Sequence, residues 1–396
     1  MGISWPLTGQ RLGGGAFVRL AARHSDRIPN RKVITVPIVA IRAWLRQRNL
    51  RTTAERFQAL QDIGSWFARA CLRHLHIAHR VFYGFSSASL EAIRFENRQG
   101  VRAIVSQVDA ARTHGRILRE EEALFPELVE AATCIQESYY SRLEEEWSEA
   151  DCVAVNSLWT RRALLEQGVA ASKIAVLPIA YEATKLVPHA RTPRVPLRVL
   201  WLGALTLAKG LPYALQAAKL LARAPIQFTF AGPAAVTLKR LSWPANCTYA
   251  GPLPRPQALK LYQHHDVFLF PTLSDGFGLT QVEAIAHGLP VIATPCCGDV
   301  IEHGTSGFRV NPRDPRAIAD AILELLESGD RLYRMSCAAL ERSRDFRAEA
   351  VWPLYAQVLG IAPADAGVQA AGRDPARSLQ KDGARNAQAS QVFGQS

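Results

Sequence analysis

The chain has 396 residues and a net charge of +12, with 48% hydrophobic and 21% charged residues. At roughly 150 residues per domain this is a globular protein of two to three domains; a mostly disordered chain, a collagen and a disulfide knot are excluded. The charge is uneven: residues 1–119 hold 20 Lys+Arg against 6 Asp+Glu, and residues 120–180 hold 4 against 12.

A basic first third suits an anionic partner, whether a membrane surface, a nucleic acid or a phosphorylated ligand; the alternative is a solvated arginine-rich face. The seven cysteines form no CxxC pair, so zinc and redox motifs lack support and a reduced, cytoplasmic compartment is expected. No apolar run reaches the ~18 residues of a spanning helix, and Met1-Gly2-Ile3-Ser4-Trp5 lacks a secretory core.

In chain order, Ile3 to Leu7 is a weak first strand, Gly13-Gly14-Gly15 a turn, and Ala16 to Arg23 a helix. Val101–Val105, Cys152–Asn156 and Ile174–Leu177 read as strands, with long helices between them, including Glu120 to Trp147. Three prolines between Val187 and Pro196 mark a linker. Beyond it the alternation is regular. Apolar runs at Leu197–Leu202, Ile226–Ala231, Asn246–Ala250, Asp266–Phe270 and Leu289–Ala293 end at or near glycine or proline. Helices are expected at Lys209–Ala224, Pro256–His264 and Gly278–His287. Strand–helix–strand at this rhythm predicts a parallel sheet with both faces covered, and a ligand crevice at the carboxyl ends of its strands. The end of the chain reads as a polar, disordered tail.

The most informative stretch runs from Pro271 to Ala284, Pro-Thr-Leu-Ser-Asp-Gly-Phe-Gly-Leu-Thr-Gln-Val-Glu-Ala. A buried strand ends, a loop carries Asp275, and Gly276 and Gly278 open a helix. Glycines there admit a ligand close to the backbone, and free N–H groups at a helix start favour phosphate. Glu283, in the second turn, can accept two hydrogen bonds from ribose hydroxyls.

An acid, seven residues and a glutamate, enclosing Gly276-Phe277-Gly278-Leu279, resembles the donor signature of retaining GT-B glycosyltransferases of family 4, also called group 1. Gly288–Thr294 and Cys297–Phe308 resemble the following strand and loop, and Lys209-Gly210 resembles the family's phosphate-binding loop. The strong resemblance covers about residues 197–312. Two positions depart from the pattern: aspartate rather than glutamate at 275, and Ala204 where an arginine is frequent.

The resemblance implies an α/β GT-B fold, two Rossmann-like parallel-sheet domains facing a central cleft. Residues 1–186 would form the acceptor domain, 197–345 the nucleotide-sugar domain, 346–360 a helix crossing back, and 361–396 the tail. It implies a retaining transfer from a nucleotide-diphosphate sugar, without cofactor or metal, in cell-envelope or extracellular polysaccharide synthesis. The leaving phosphate would help deprotonate the acceptor. Asp275 would hold sugar hydroxyls, and Lys209, Gly14, Gly15, Gly276, Phe277, Gly278, Leu279 and Glu283 the rest of the donor. Asp109 and His114, just past a strand end, are candidates near the transferred sugar. The acceptor is open: a sugar, a lipid-linked sugar or a small molecule. An anionic membrane at its inner face is a candidate peripheral site, and no nucleic-acid partner is expected. Rival readings are another GT-B chemistry, an epimerase or a phosphorylase, and a basic nucleic-acid-binding protein; no recognition motif supports the last.

Overall fold

A computed structural model describes residues 33–361, except 49, 51–52, 76–78, 130–132, 134, 183–189 and 193. The expected first strand, Gly13-Gly14-Gly15, the helix after them, most of the linker and the tail therefore lie outside the described residues.

Two parallel α/β sheets are present. The described chain opens with two helices, α1 (Pro37–Gln47) and α2 (Thr53–Leu72). The first sheet has the order β1-β2-β3-β4, formed by Val81–Phe85, Arg102–Gln107, Cys152–Val155 and Ile174–Val176. Its helices are α3 (Leu90–Arg98), α4 (Arg112–Leu124), α5 (Glu137–Glu149) and α6 (Leu158–Glu166). Ile93, Val105, Leu143, Val153 and Leu164 fill the core on one face.

The long helix expected over Glu120–Trp147 is instead two helices. Phe125 leaves helical geometry, and Pro126 begins a single 3-10 turn. A proline inside the helix would remove a hydrogen bond and clash with the preceding turn. The break also frees α5 to deliver buried Glu146 to the start of α3. Its carboxylate accepts from the backbone N–H groups of Ser87, Ser89 and Leu90 at 2.6, 2.9 and 3.0 Å. Burial raises its pKa, against those three bonds. It does the work of an N-cap that Ser89's side chain does not do.

The second sheet runs β10-β9-β8-β5-β6-β7, all parallel. Its strands are β5 (Leu197–Leu202), β6 (Ile226–Ala231), β7 (Cys247–Gly251), β8 (Val267–Phe270), β9 (Val291–Ala293) and β10 (Gly307–Arg309). The helices are α7 (Leu211–Leu220), α8 (Arg255–His264), α9 (Leu279–Ala286), α10 (Pro315–Glu327) and α11 (Gly329–Arg342). Strand β8 is buried throughout, because helices cover both faces. The order reverses between β5 and β8, and in such sheets the crevice opens at that switch point.

The chain before β5 is not a loose connector throughout. Arg191 is buried; its guanidinium donates to the carbonyls of Tyr262 and His287, and its own N–H to Ser336 Oγ at 2.7 Å. The final helix, α12 (Ala348–Leu359), returns to the first sheet. Leu354, Tyr355, Val358 and Leu359 pack on the Ile104 and Ala154 face, and Arg102 donates to the Val358 carbonyl at 2.6 Å.

The two domains meet directly. Buried Glu121 of α4 accepts from Tyr213 Oη at 2.9 Å and from Arg313 Nε at 2.6 Å, both in the second domain. The N–H of Thr237 donates to the Leu128 carbonyl at 2.9 Å.

Candidate active site

A cavity of about 340 Å³ opens between the domains at the switch point. The ends of β5 and β8 and the start of α9 form most of its wall. Val108 and Asn156, at the ends of β2 and β3, close it from the first domain. Its polar side chains are Asn156, Lys209, Asp275 and Thr280.

Lys209 precedes α7. Gly210 begins that helix at φ +76°, and a Cβ there would stand 2.0 Å from the Pro271 carbonyl oxygen, so glycine is required on both counts. The Lys209 ammonium pairs with Asp275 Oδ2 and lies 5.4 Å from the Phe270 ring centre. Burial pulls its pKa down to about 8. Asp275 also shapes its loop. Its Oδ1 accepts from the Phe277 N–H at 3.2 Å, and its own N–H donates to the Cys296 carbonyl at 2.9 Å.

Gly278 stands at φ +77° before α9, with no side chain capping the helix. Leu279 and Thr280 follow on the cavity wall. Phe277 contributes to the wall, but its ring is buried against Phe346 and Gly298. Gly276 touches the other domain: a Cβ there would lie 1.7 Å from the Val108 carbonyl oxygen.

Glu283 is buried one turn further along α9, outside the cavity lining. Arg255 Nη2 donates to its Oε1 at 2.6 Å, and Tyr262 Oη to its Oε2 at 2.9 Å. Burial first, and then the Glu283 carboxylate, push the Tyr262 phenol well above its ordinary pKa.

Asp109 and His114 lie close to this group but do not line the cavity. Asp109 Oδ1 accepts from Gln107 Nε2 and from the Ala111 N–H, each at 2.9 Å, in a tight turn. Ala111 stands at φ +46°, ψ −119°, a conformation that costs a non-glycine residue roughly 1–3 kcal/mol. His114 bonds the Ser274 backbone in the loop that follows β8. Burial pulls its pKa down, Asp109 opposing and Lys209 reinforcing. Asp109, His114, Lys209 and Asp275 are thus one neighbourhood drawn from both domains. Gly14 and Gly15 lie outside the described residues.

Sequence reasoning passed over Val108 and Asn156. Asn156 donates to the Val108 carbonyl at 2.9 Å and accepts from Thr160 Oγ1 at 3.2 Å. Its signal was available: a polar residue directly after the buried apolar strand Cys152–Val155. Val108 acts through its backbone, which leaves no such mark.

Residues 196–328 match the family model described as glycosyl transferases group 1. The D-inositol 3-phosphate glycosyltransferase of Thermobispora bispora is 35% identical over 97 residues, 24% of this chain. The match spans only 23% of that relative's own length. Among solved structures, the lipopolysaccharide outer core galactosyltransferase WaaB superposes with a TM-score of 0.55 at 12% identity, covering 77% of this chain and 81% of that one. Anabaena HepE in complex with UDP-glucose gives 0.52 at 16% identity, covering 75% and 82%. The fold is GT-B.

Proposed function

We propose that this chain is a retaining glycosyltransferase of family 4 that moves a sugar from a nucleotide-diphosphate sugar to an acceptor hydroxyl. One observation carries the reading: within the stretch matching the group 1 model, Lys209, Asp275 and the uncapped start of α9 converge on one cavity at the switch point. The relative acting on inositol phosphate and the UDP-glucose held by HepE support a nucleotide-sugar donor, and UDP-sugars are the first to test.

In this reading the diphosphate lies between Lys209 and the start of α9, where the backbone N–H groups and the helix dipole favour negative charge. Asp275 takes hydroxyls of the transferred sugar, and Glu283, oriented by Arg255 and Tyr262, takes the ribose. The bond from the anomeric carbon to the diphosphate oxygen breaks while the acceptor oxygen bonds that carbon from the same face. The acceptor proton passes to the departing phosphate oxygen, so no protein base is needed. Charge grows on the leaving group, and Lys209 opposes it without a metal ion. His114 holds the donor loop through Ser274. The acceptor enters from the basic first domain, which faces an anionic membrane, and the product belongs to envelope or extracellular polysaccharide.

Calorimetry and thermal shift against UDP-, GDP- and ADP-sugars test this. A ligand at 100-fold its Kd stabilises by about 2.7 kcal/mol. Glu283→Ala should weaken even the free nucleoside diphosphate by roughly 1.5–3 kcal/mol. The absence of any nucleotide response refutes the donor assignment. An inverted anomer in the NMR spectrum of the product refutes retention.

A further inference from the structure

Helix α1 is apolar on the side turned away from the protein. It packs on α2 through the half-buried positions Val39, Ala43 and Arg46. On the outer side Ile38, Ile41, Trp44 and Leu45 are 78, 57, 55 and 56% exposed. Ile38, Ile41 and Leu45 repeat at helical spacing and form a continuous stripe, with Trp44 beside it and exposed Ile34 just before it. No residue of this helix is buried. An outward stripe of this kind marks a surface that something covers.

The charge on the helix itself has one sign. Residues 37–48 carry Arg42, Arg46 and Arg48 and no acid. The Arg42 guanidinium lies 3.8 Å from the Trp66 ring centre, and that of Arg48 lies 4.5 Å from Trp44, so two of the arginines sit against aromatic faces. Arg46 pairs with Asp62 at 3.1 Å.

We propose that α1 docks on an anionic lipid bilayer, its Ile38–Ile41–Leu45 stripe and Trp44 entering the headgroup boundary and Arg42 and Arg48 meeting lipid phosphates. This rests on the reading that the basic first domain faces a membrane, and it names the element that makes contact. Charge complementarity selects the occupant. A second copy seated across a twofold axis would bring these arginines together with no acid on the helix to answer them. Residues 1–32 hold six Lys+Arg against one acid, so they do not complement it either. A helix lying in the interface plane, apolar on one side and flanked by arginine, matches a bilayer of acidic lipid.

The test is flotation of the full chain with vesicles of phosphatidylcholine, alone or mixed with phosphatidylglycerol, at low salt and at about 1 M salt. The wild type should float with the mixed vesicles at low salt. The double variant Ile41→Asp/Trp44→Asp should lose at least about ten-fold in partitioning, and Arg42→Gln/Arg48→Gln roughly five-fold per charge. Unchanged circular dichroism and nucleotide affinity show that the variants are folded, since none of the four positions lines the cavity. If the aspartate variant floats like the wild type, association is by diffuse charge: the α1 assignment falls while the membrane reading stands. No flotation of the wild type at low salt overturns both. A concentration-dependent dimer that the aspartates dissociate, without vesicle binding, overturns the proposal in favour of a second copy.

Discussion

Gly276→Ala is the sharpest test of how the two domains make one site. Gly276 does not lie in the left-handed region, so alanine suits its backbone and the effect is one of space. The added Cβ would stand 1.7 Å from the Val108 carbonyl oxygen, 2.8 Å from its carbon and 3.0 Å from Asn156 Nδ2. Reaching even 3.0 Å from that oxygen requires a retreat of about 1.3 Å, the difference between the two distances. Neither side yields easily. The Val108 carbonyl is held by Asn156, and the donor loop by the Asp275 N–H on Cys296 and by Gly278 against Phe270. The displacement therefore passes to the approach of the domains. A misplacement of about 1 Å between reacting groups costs on the order of 100-fold in rate, whereas the proposed nucleotide site lies mainly on the second domain. Sugar transfer at saturating donor should thus fall about 100-fold while calorimetry shows nucleotide affinity changed by less than about three-fold. Small-angle scattering should show a more open particle. An alanine variant that transfers within about three-fold of wild type would refute the claim that this contact sets the catalytic geometry.

Further outcomes follow from the same geometry. Lys209→Ala should lower turnover by roughly 10²–10³-fold and weaken donor binding far less, because the leaving-group charge it opposes is largest in the transition state; Asp275→Asn should spare free nucleotide affinity and impair transfer, and near-normal steady-state transfer in both variants would sink the site. Burial holds the Lys209 pKa at about 8, so its cationic form is lost as pH rises through that value: kcat/KM for the donor should fall on the basic side with a midpoint near 8, kcat should fall at higher pH because bound diphosphate favours the ammonium, and Lys209→Arg should remove that limb, whereas a flat profile well above pH 8 in the wild type would show that this charge is not needed.

Strands β5, β6, β8 and β9 could be read directly because each is a short, mostly apolar run ending at or near glycine or proline, and burial on both faces demands such runs, whereas the edge strands β7 and β10 carry a weaker pattern. The first domain was harder. Strand β1 is half-buried and carries Gly84, which reads as a breaker; the structure needs that glycine because a Cβ would lie 2.2 Å from Ser89 Oγ. The outward stripe on α1 is equally opaque, since apolar periodicity alone does not say which side of a helix meets the protein.

Within the site, legibility follows the kind of atom that acts. Lys209 and Asp275 are charged side chains in loops at strand ends, where little but a ligand or each other can use them. Asp109 has the same position and chemistry, yet one of its oxygens is committed to its own turn, a local competition that no spacing reveals. Glu283 reads as a free carboxylate until Arg255 and Tyr262, 28 and 21 residues away, are folded against it. At the cavity the domains meet between a backbone carbonyl and a missing side chain, at Val108 and Gly276. Only the folded chain makes Gly276 a steric requirement, so one residue of the stretch that resembles a donor signature also sets how closely the two domains approach.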